Sequence, residues 1–125
     1  AGLLAWITEK FYGWTDNGGD LLNTVDKDKL LANVSLYWFT GTINSSTRIY
    51  YEMFKTLEPG FGSTGETPVG VSVFPYELMM PRRRWVEDSM NLILWAEHEK
   101  GGHFASLETP EVFVGDVREC FRGLR

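Results

Sequence analysis

Two stretches of this chain read as strands, and two are too few for the kind of sheet they belong to. Val69-Gly70-Val71-Ser72-Val73-Phe74 is a β-branched run bounded by Pro68 and Pro75, the pattern of a buried strand. Asn91-Leu92-Ile93-Leu94-Trp95-Ala96 is the second, and helical patterns lie before, between and after them. Strands that alternate with helices build α/β sheets of parallel strands. A parallel sheet is covered on both faces and needs several neighbours. The expectation is an α/β chain that forms the C-terminal part of a larger enzyme.

Composition narrows the partners. The 125 residues are 43% hydrophobic and 14% aromatic, enough for a core, and the formal net charge is −5. A nucleic acid or an anionic membrane surface calls for a basic field, so neither is expected. No apolar run approaches the roughly 20 residues of a membrane span, and the first residues do not form a signal peptide. Arg82-Arg83-Arg84 reads as a solvated, locally basic face. The single cysteine, Cys120, cannot make an internal disulfide. Its helical spacing to Val117 and Phe121 predicts a buried structural thiol, and the expected compartment is a reducing one, the cytoplasm.

The first half is helical by period. Leu3, Ile7 and Phe11, with Leu4 and Trp14 on a neighbouring stripe, predict an amphipathic helix that enters without a cap and ends at Asp16-Asn17-Gly18-Gly19-Asp20. Asp26 offers a cap to a second helix carrying Leu30, Leu31, Val34, Tyr37 and Trp38. A third begins near Asn44 or Ser45, either of which could accept from a first-turn amide, and runs through Phe54. Pro59-Gly60-Phe61-Gly62-Ser63-Thr64-Gly65 breaks it. That stretch lacks the setting and the Lys-Ser/Thr of a phosphate loop and reads as a linker between a helical segment, 1–62, and a strand-and-helix segment, 63–125. The last helix has Thr109 as its expected N-cap, with Pro110 and Glu111 in its first turn, and Val114, Val117, Phe121 and Leu124 as its expected inner stripe.

Chemistry is expected where the strands end. Lys100-Gly101-Gly102-His103-Phe104 sets an imidazole on a glycine-framed turn after the second strand. In an open α/β sheet that edge carries the site. Histidine changes charge near neutrality and suits a general base, although a histidine on such a turn is usually a surface residue. Glu77 follows the end of the first strand. If the strands are parallel neighbours, both side chains emerge on one edge and the carboxylate can orient the imidazole; the alternative is a solvent-facing loop glutamate. No Gly-x-Ser-x-Gly or Gly-x-Asp-x-Gly elbow occurs. His98 and His103 lack the spacing zinc would want, and no metal or other cofactor is expected.

Taken in order, Gly2-Leu3-Leu4-Ala5-Trp6-Ile7-Thr8-Glu9-Lys10-Phe11, Leu30-Leu31-Ala32-Asn33-Val34, Tyr37-Trp38-Phe39-Thr40-Gly41-Thr42-Ile43, Ser45-Ser46 with Arg48, Pro68-Val69-Gly70, Phe74-Pro75-Tyr76-Glu77 and Gly101-Gly102-His103-Phe104-Ala105 with Glu108 and Pro110-Glu111 resemble a known pattern. It is the C-terminal part of epoxide hydrolases of the α/β-hydrolase fold, of the microsomal type and its fungal and bacterial relatives. The resemblance covers nearly the whole chain.

That resemblance implies that 1–62 is a helical cap and 63–125 completes the hydrolase core. It implies hydrolysis of an apolar epoxide to a vicinal diol through an aspartyl ester, with the nucleophile on the N-terminal portion of the same enzyme. His103 would then be the base that activates water, and Glu77 its orienting acid. A cap tyrosine that donates to the epoxide oxygen falls at Tyr50 by count from the paired serines, with Tyr51 the competitor. Adjacent helical residues point about 100° apart, so both cannot face the site equally. The implied biological role is detoxification or catabolism of aromatic hydrocarbons, and a homodimer is left open. The competing readings are a haloalkane dehalogenase-like hydrolase, which would need no cap tyrosine pair, and a non-catalytic fragment acting only with a partner chain.

Overall fold

The computed structural model describes residues 1–56 and 65–124. The expected linker, apart from Gly65, and the expected division after residue 62 lie outside the described residues. Among them no helix is long and apolar enough to cross a membrane. The elements are α1 (Gly2–Trp14), α2 (Lys27–Thr40), α3 (Ile43–Thr56), β1 (Gly65–Val73), α4 (Arg83–Ser89), β2 (Met90–Glu97), α5 (Ala105–Glu108) and α6 (Pro110–Arg122), with one 3₁₀ turn at Leu21–Asn23.

β1 and β2 pair in parallel, with Val69 opposite Leu92 and Val73 opposite Glu97. This is the expected α/β arrangement of two neighbouring strands with flanking helices. The ladder is irregular between Gly65 and Pro68, where a proline without an N–H cannot donate, and again between Val69 and Gly70. β1 therefore starts earlier than the β-branched run and stops one residue short of Phe74. Beyond it the two chains stay together. The His98 amide donates to the Val73 carbonyl at 3.0 Å, the Tyr76 amide to the Gly101 carbonyl at 3.1 Å, and Tyr76 bridges Gly102.

The helical half packs on α1. Ile7 and Phe11 from α1, Leu21, Val25 and Leu30 form one buried cluster, with Leu3, Val34, Tyr37 and Phe104 against it. Val25, at 2% exposure, is its centre. Asp26 caps α2 as expected, accepting from the amides of Asp28 and Lys29 at 3.0 Å, and Gly41 closes it in the left-handed region. Such a cap contributes about 1 kcal/mol.

Three local expectations are corrected. α3 begins at Ile43, ahead of both Asn44 and Ser45; the Ser45 hydroxyl donates to the Thr42 carbonyl at 2.9 Å instead of accepting from an amide. Ser46 and Thr47 also donate backwards, to Ile43, because a serine or threonine hydroxyl inside a helix finds a carbonyl of the preceding turn more readily than a free amide. The short helix α5 fills the space between the histidine turn and α6, so Thr109 spends its hydroxyl on the Ala105 carbonyl and not on a cap. Cys120 is half-buried, packed against Gly70 of β1, where an added Cβ would stand 2.6 Å from its Sγ. The arginine run behaves as expected of a solvated face. Arg83 and Arg84 pair with Glu87 and Asp88 one turn on, at 2.8 and 3.9 Å, and Arg82 lies over Trp85.

Candidate active site

The turn after β2 is built by two glycines with different tasks. Gly101 has φ +101°, which only glycine adopts without strain. Gly102 leaves no room for a side chain, since a Cβ would stand 2.7 Å from the Trp14 carbonyl oxygen and 3.1 Å from Tyr76. The close approach allows the His103 amide to donate to that same Trp14 carbonyl at 2.9 Å. The end of α1 thereby sets the height of the imidazole.

Carboxylates outside the site tie down the rest. Asp16 accepts from the Gly101 amide at 3.1 Å. Glu108 accepts from the Phe104 amide at 2.9 Å and from the Asp16 amide at 2.8 Å, bridging α5 to the turn that ends α1. Phe104 stacks on Phe11 with centroids 4.3 Å apart, adding about 0.5–1.5 kcal/mol beyond its burial. Asp16 was legible only as a turn residue and Glu108 only as part of a family pattern. Their partners lie 85 and 92 positions away, beyond the reach of any local signal.

His103 and Glu77 meet. The imidazole Nδ1 and Glu77 Oε1 are 2.7 Å apart, with side-chain exposures of 38% and 29%. An ionised carboxylate only accepts, so Nδ1 donates and Nε2 is left with its lone pair. Glu77 is itself held, because Oε1 also accepts from the Leu78 amide at 2.6 Å, and the Glu77 amide donates to the Phe74 carbonyl at 3.2 Å. The ring of Trp14 meets the imidazole edge-on at 5.2 Å, and Phe104 does so at 5.1 Å. A clamped Nδ1, with an Nε2 that has no partner among the described residues, is the arrangement of a general base.

The imidazole looks into a pocket of about 280 Å³ shared by α1, α2, α3 and the histidine turn. Trp6, Phe11, Trp14, Tyr37 and Phe104 give it an aromatic wall, Lys10 and Asn33 add polar groups, and Tyr50 lines it together with His103. Tyr51 is not among the lining residues. It points to solvent with Lys55 Nζ 4.1 Å above its ring. Tyr50 and His103 therefore line one cavity, and Glu77 is joined to it through its contact with His103 Nδ1. A second, larger cleft, about 540 Å³, runs between β1 and α6 and is lined by both Glu77 and His103.

Comparison with known proteins follows the same lines. No protein-family model matches the chain. It is 49% identical over its whole length to an inferred epoxide hydrolase of Stigmatella aurantiaca. It superimposes on the juvenile hormone epoxide hydrolase of the silkworm Bombyx mori with a TM-score of 0.82 at 33% identity, covering 99% of this chain. The corresponding values for the Aspergillus niger epoxide hydrolase are 0.79, 32% and 98%. The chain spans 28%, 34% and 30% of the length of these three proteins.

Proposed function

The chain belongs to the epoxide hydrolases of the α/β-hydrolase fold, and from that premise we propose that it carries the water-activating base, the orienting acid and one oxyanion donor of an epoxide hydrolase. The observation that carries this is the shared cavity. His103, with Nδ1 held by Glu77 at 2.7 Å, and Tyr50 line the same aromatic-walled pocket.

In the proposed reaction a carboxylate on the rest of the enzyme attacks one epoxide carbon, and the C–O bond opens. Negative charge then develops on the departing oxygen, where the Tyr50 phenol donates a hydrogen bond and supplies a proton. The product of this half is an alkyl ester. In the second half His103 Nε2 takes a proton from water and the resulting hydroxide adds to the ester carbonyl. The C–O bond to the former epoxide carbon's oxygen then breaks, the imidazolium returns its proton to that oxygen as the diol leaves, and the carboxylic acid so formed gives its proton back to the Tyr50 phenolate. Glu77 stabilises the imidazolium formed in that step and keeps the ring in the tautomer that exposes Nε2.

The aromatic lining favours a lipophilic, aryl-bearing epoxide. The divided organisation, 1–62 as cap and 63–125 as core, fits the position of α1 and α3 on one side of His103 and of β1, β2 and α6 on the other. The stripe expected to face inward, Val114, Val117 and Phe121 on α6 with Leu124 just beyond it, is exposed among the described residues, which supports a longer partner segment that covers it. A phenol on the pocket wall also separates this reading from haloalkane dehalogenation, which needs none.

The test is product analysis with the full-length enzyme. Supplied with an aryl epoxide and, separately, a haloalkane of similar size, it should release diol from the first and no halide from the second. Halide release that survives Tyr50→Phe, without diol, would replace this function with dehalogenation.

A further inference from the structure

We propose that His98 and Asp116 form a positioning pair, acting through Phe74, that holds the Glu77–His103 contact at the geometry needed for ester hydrolysis. The inference rests on the reaction proposed above and adds to it a pair of residues outside the pocket.

His98 Nε2 and Asp116 Oδ2 lie 2.6 Å apart, with side-chain exposures of only 19% and 17%. His98 follows the end of β2, and Asp116 sits in the middle of α6. The imidazole lies flat on the Phe74 ring, centroids 4.8 Å apart and 26° between planes, and its backbone amide holds the Val73 carbonyl. One residue thus ties both strand ends to the covering helix. Asp116 accepts only, so Nε2 is the donor and is committed to that bond.

Phe74 is the link to the chemistry. It is buried, and it touches both arms of the acid and base pair. Its carbonyl accepts from the Glu77 amide at 3.2 Å, setting the turn that presents the carboxylate. Its ring edge packs against Gly101, where a Cβ would stand 3.0 Å from Cδ1, and Gly101 starts the turn that presents His103. A ring pinned between His98 and Gly101 fixes both turns at once. Without Asp116 the His98 ring loses its anchor and Phe74 gains freedom on one face. Misplacement by a fraction of an ångström at the reacting groups costs much in rate, since a full ångström is worth about a hundredfold.

A positioning role separates the two half-reactions. Ring opening uses Tyr50, whose pocket Phe74 does not line, whereas ester hydrolysis needs His103 and Glu77 aligned. The experiment is single-turnover kinetics of the full-length enzyme with an aryl epoxide, following appearance and decay of the covalent adduct by quenched-flow mass spectrometry. Asp116→Ala and His98→Phe, which keeps the stack but not the anchor, should slow adduct decay about tenfold while adduct formation stays within about twofold. His98→Gln, whose amide nitrogen can donate to Asp116, should restore decay to near the parent rate.

Decay unchanged in both disruptive variants would overturn the positioning role alone. So would formation and decay falling together with the folded fraction, which marks a general structural contact. If the parent and the His103→Gln protein both form no adduct, the proposed reaction falls, and the positioning role falls with it.

Discussion

Five residues apart, the same two kinds of side chain make two pairs with different fates. His103–Glu77 and His98–Asp116 are both imidazole–carboxylate contacts under 2.8 Å, and both lie at the carboxyl edge of the two strands. The first uses Nδ1, belongs to a cavity-lining residue and is about twice as exposed; the second commits Nε2 and lies flat on a buried phenylalanine. What suits His103 to the proposed role of base is not the imidazole or its carboxylate but which nitrogen is left over.

Exchanging each acid for its amide sharpens the contrast most. In Glu77→Gln the amide can donate to Nδ1 and turn the ring to the tautomer with a protonated Nε2, so ester hydrolysis should fall on the order of a thousandfold with little change in thermal stability. A loss below about tenfold in steady-state diol formation would put Glu77 among ordinary loop residues. The pocket is the second difference between the pairs. Tyr50→Phe should slow ring opening about a hundredfold, while Tyr51→Phe, altered at a solvent-facing ring, should stay within about twofold. Reversal of these two, read as adduct formation rates, would move the oxyanion donor one residue along α3.

Smaller effects test the turn between the pairs. Gly102→Ala drives a Cβ against the Trp14 carbonyl and should cost about 2 kcal/mol of stability, seen as a lower urea midpoint of the full-length protein. Gly115→Ala on α6, where no atom beyond the helix's own neighbouring backbone lies within 4 Å among the described residues, should gain about 0.5–1 kcal/mol. Equal responses would mean that the close approach of α1 to the histidine turn is not what holds it.

The contact between Glu77 and His103 was legible because the C-terminal ends of parallel strands concentrate function, and both residues stand just past two such ends. Tyr50 carried no signal in period or spacing and rested on the resemblance alone. The pocket was beyond sequence reasoning, since Trp6, Tyr37, Tyr50 and His103 come from four segments that only tertiary packing joins. His98 was weighed only as a metal ligand, and its partner lies 18 positions away on another element. Helix α3 shows the limit of cap rules, because a hydroxyl both donates and accepts, and the choice between them is made by the neighbouring turn.

The most direct measurement is the intact mass of the full-length His103→Gln protein after incubation with an aryl epoxide. With the base removed and the nucleophile untouched, the account predicts a stable mass gain equal to one epoxide, where the parent protein turns the same compound over to diol. A parent that makes diol, beside a variant that forms no adduct, would contradict the assignment of His103 as the base that resolves the ester.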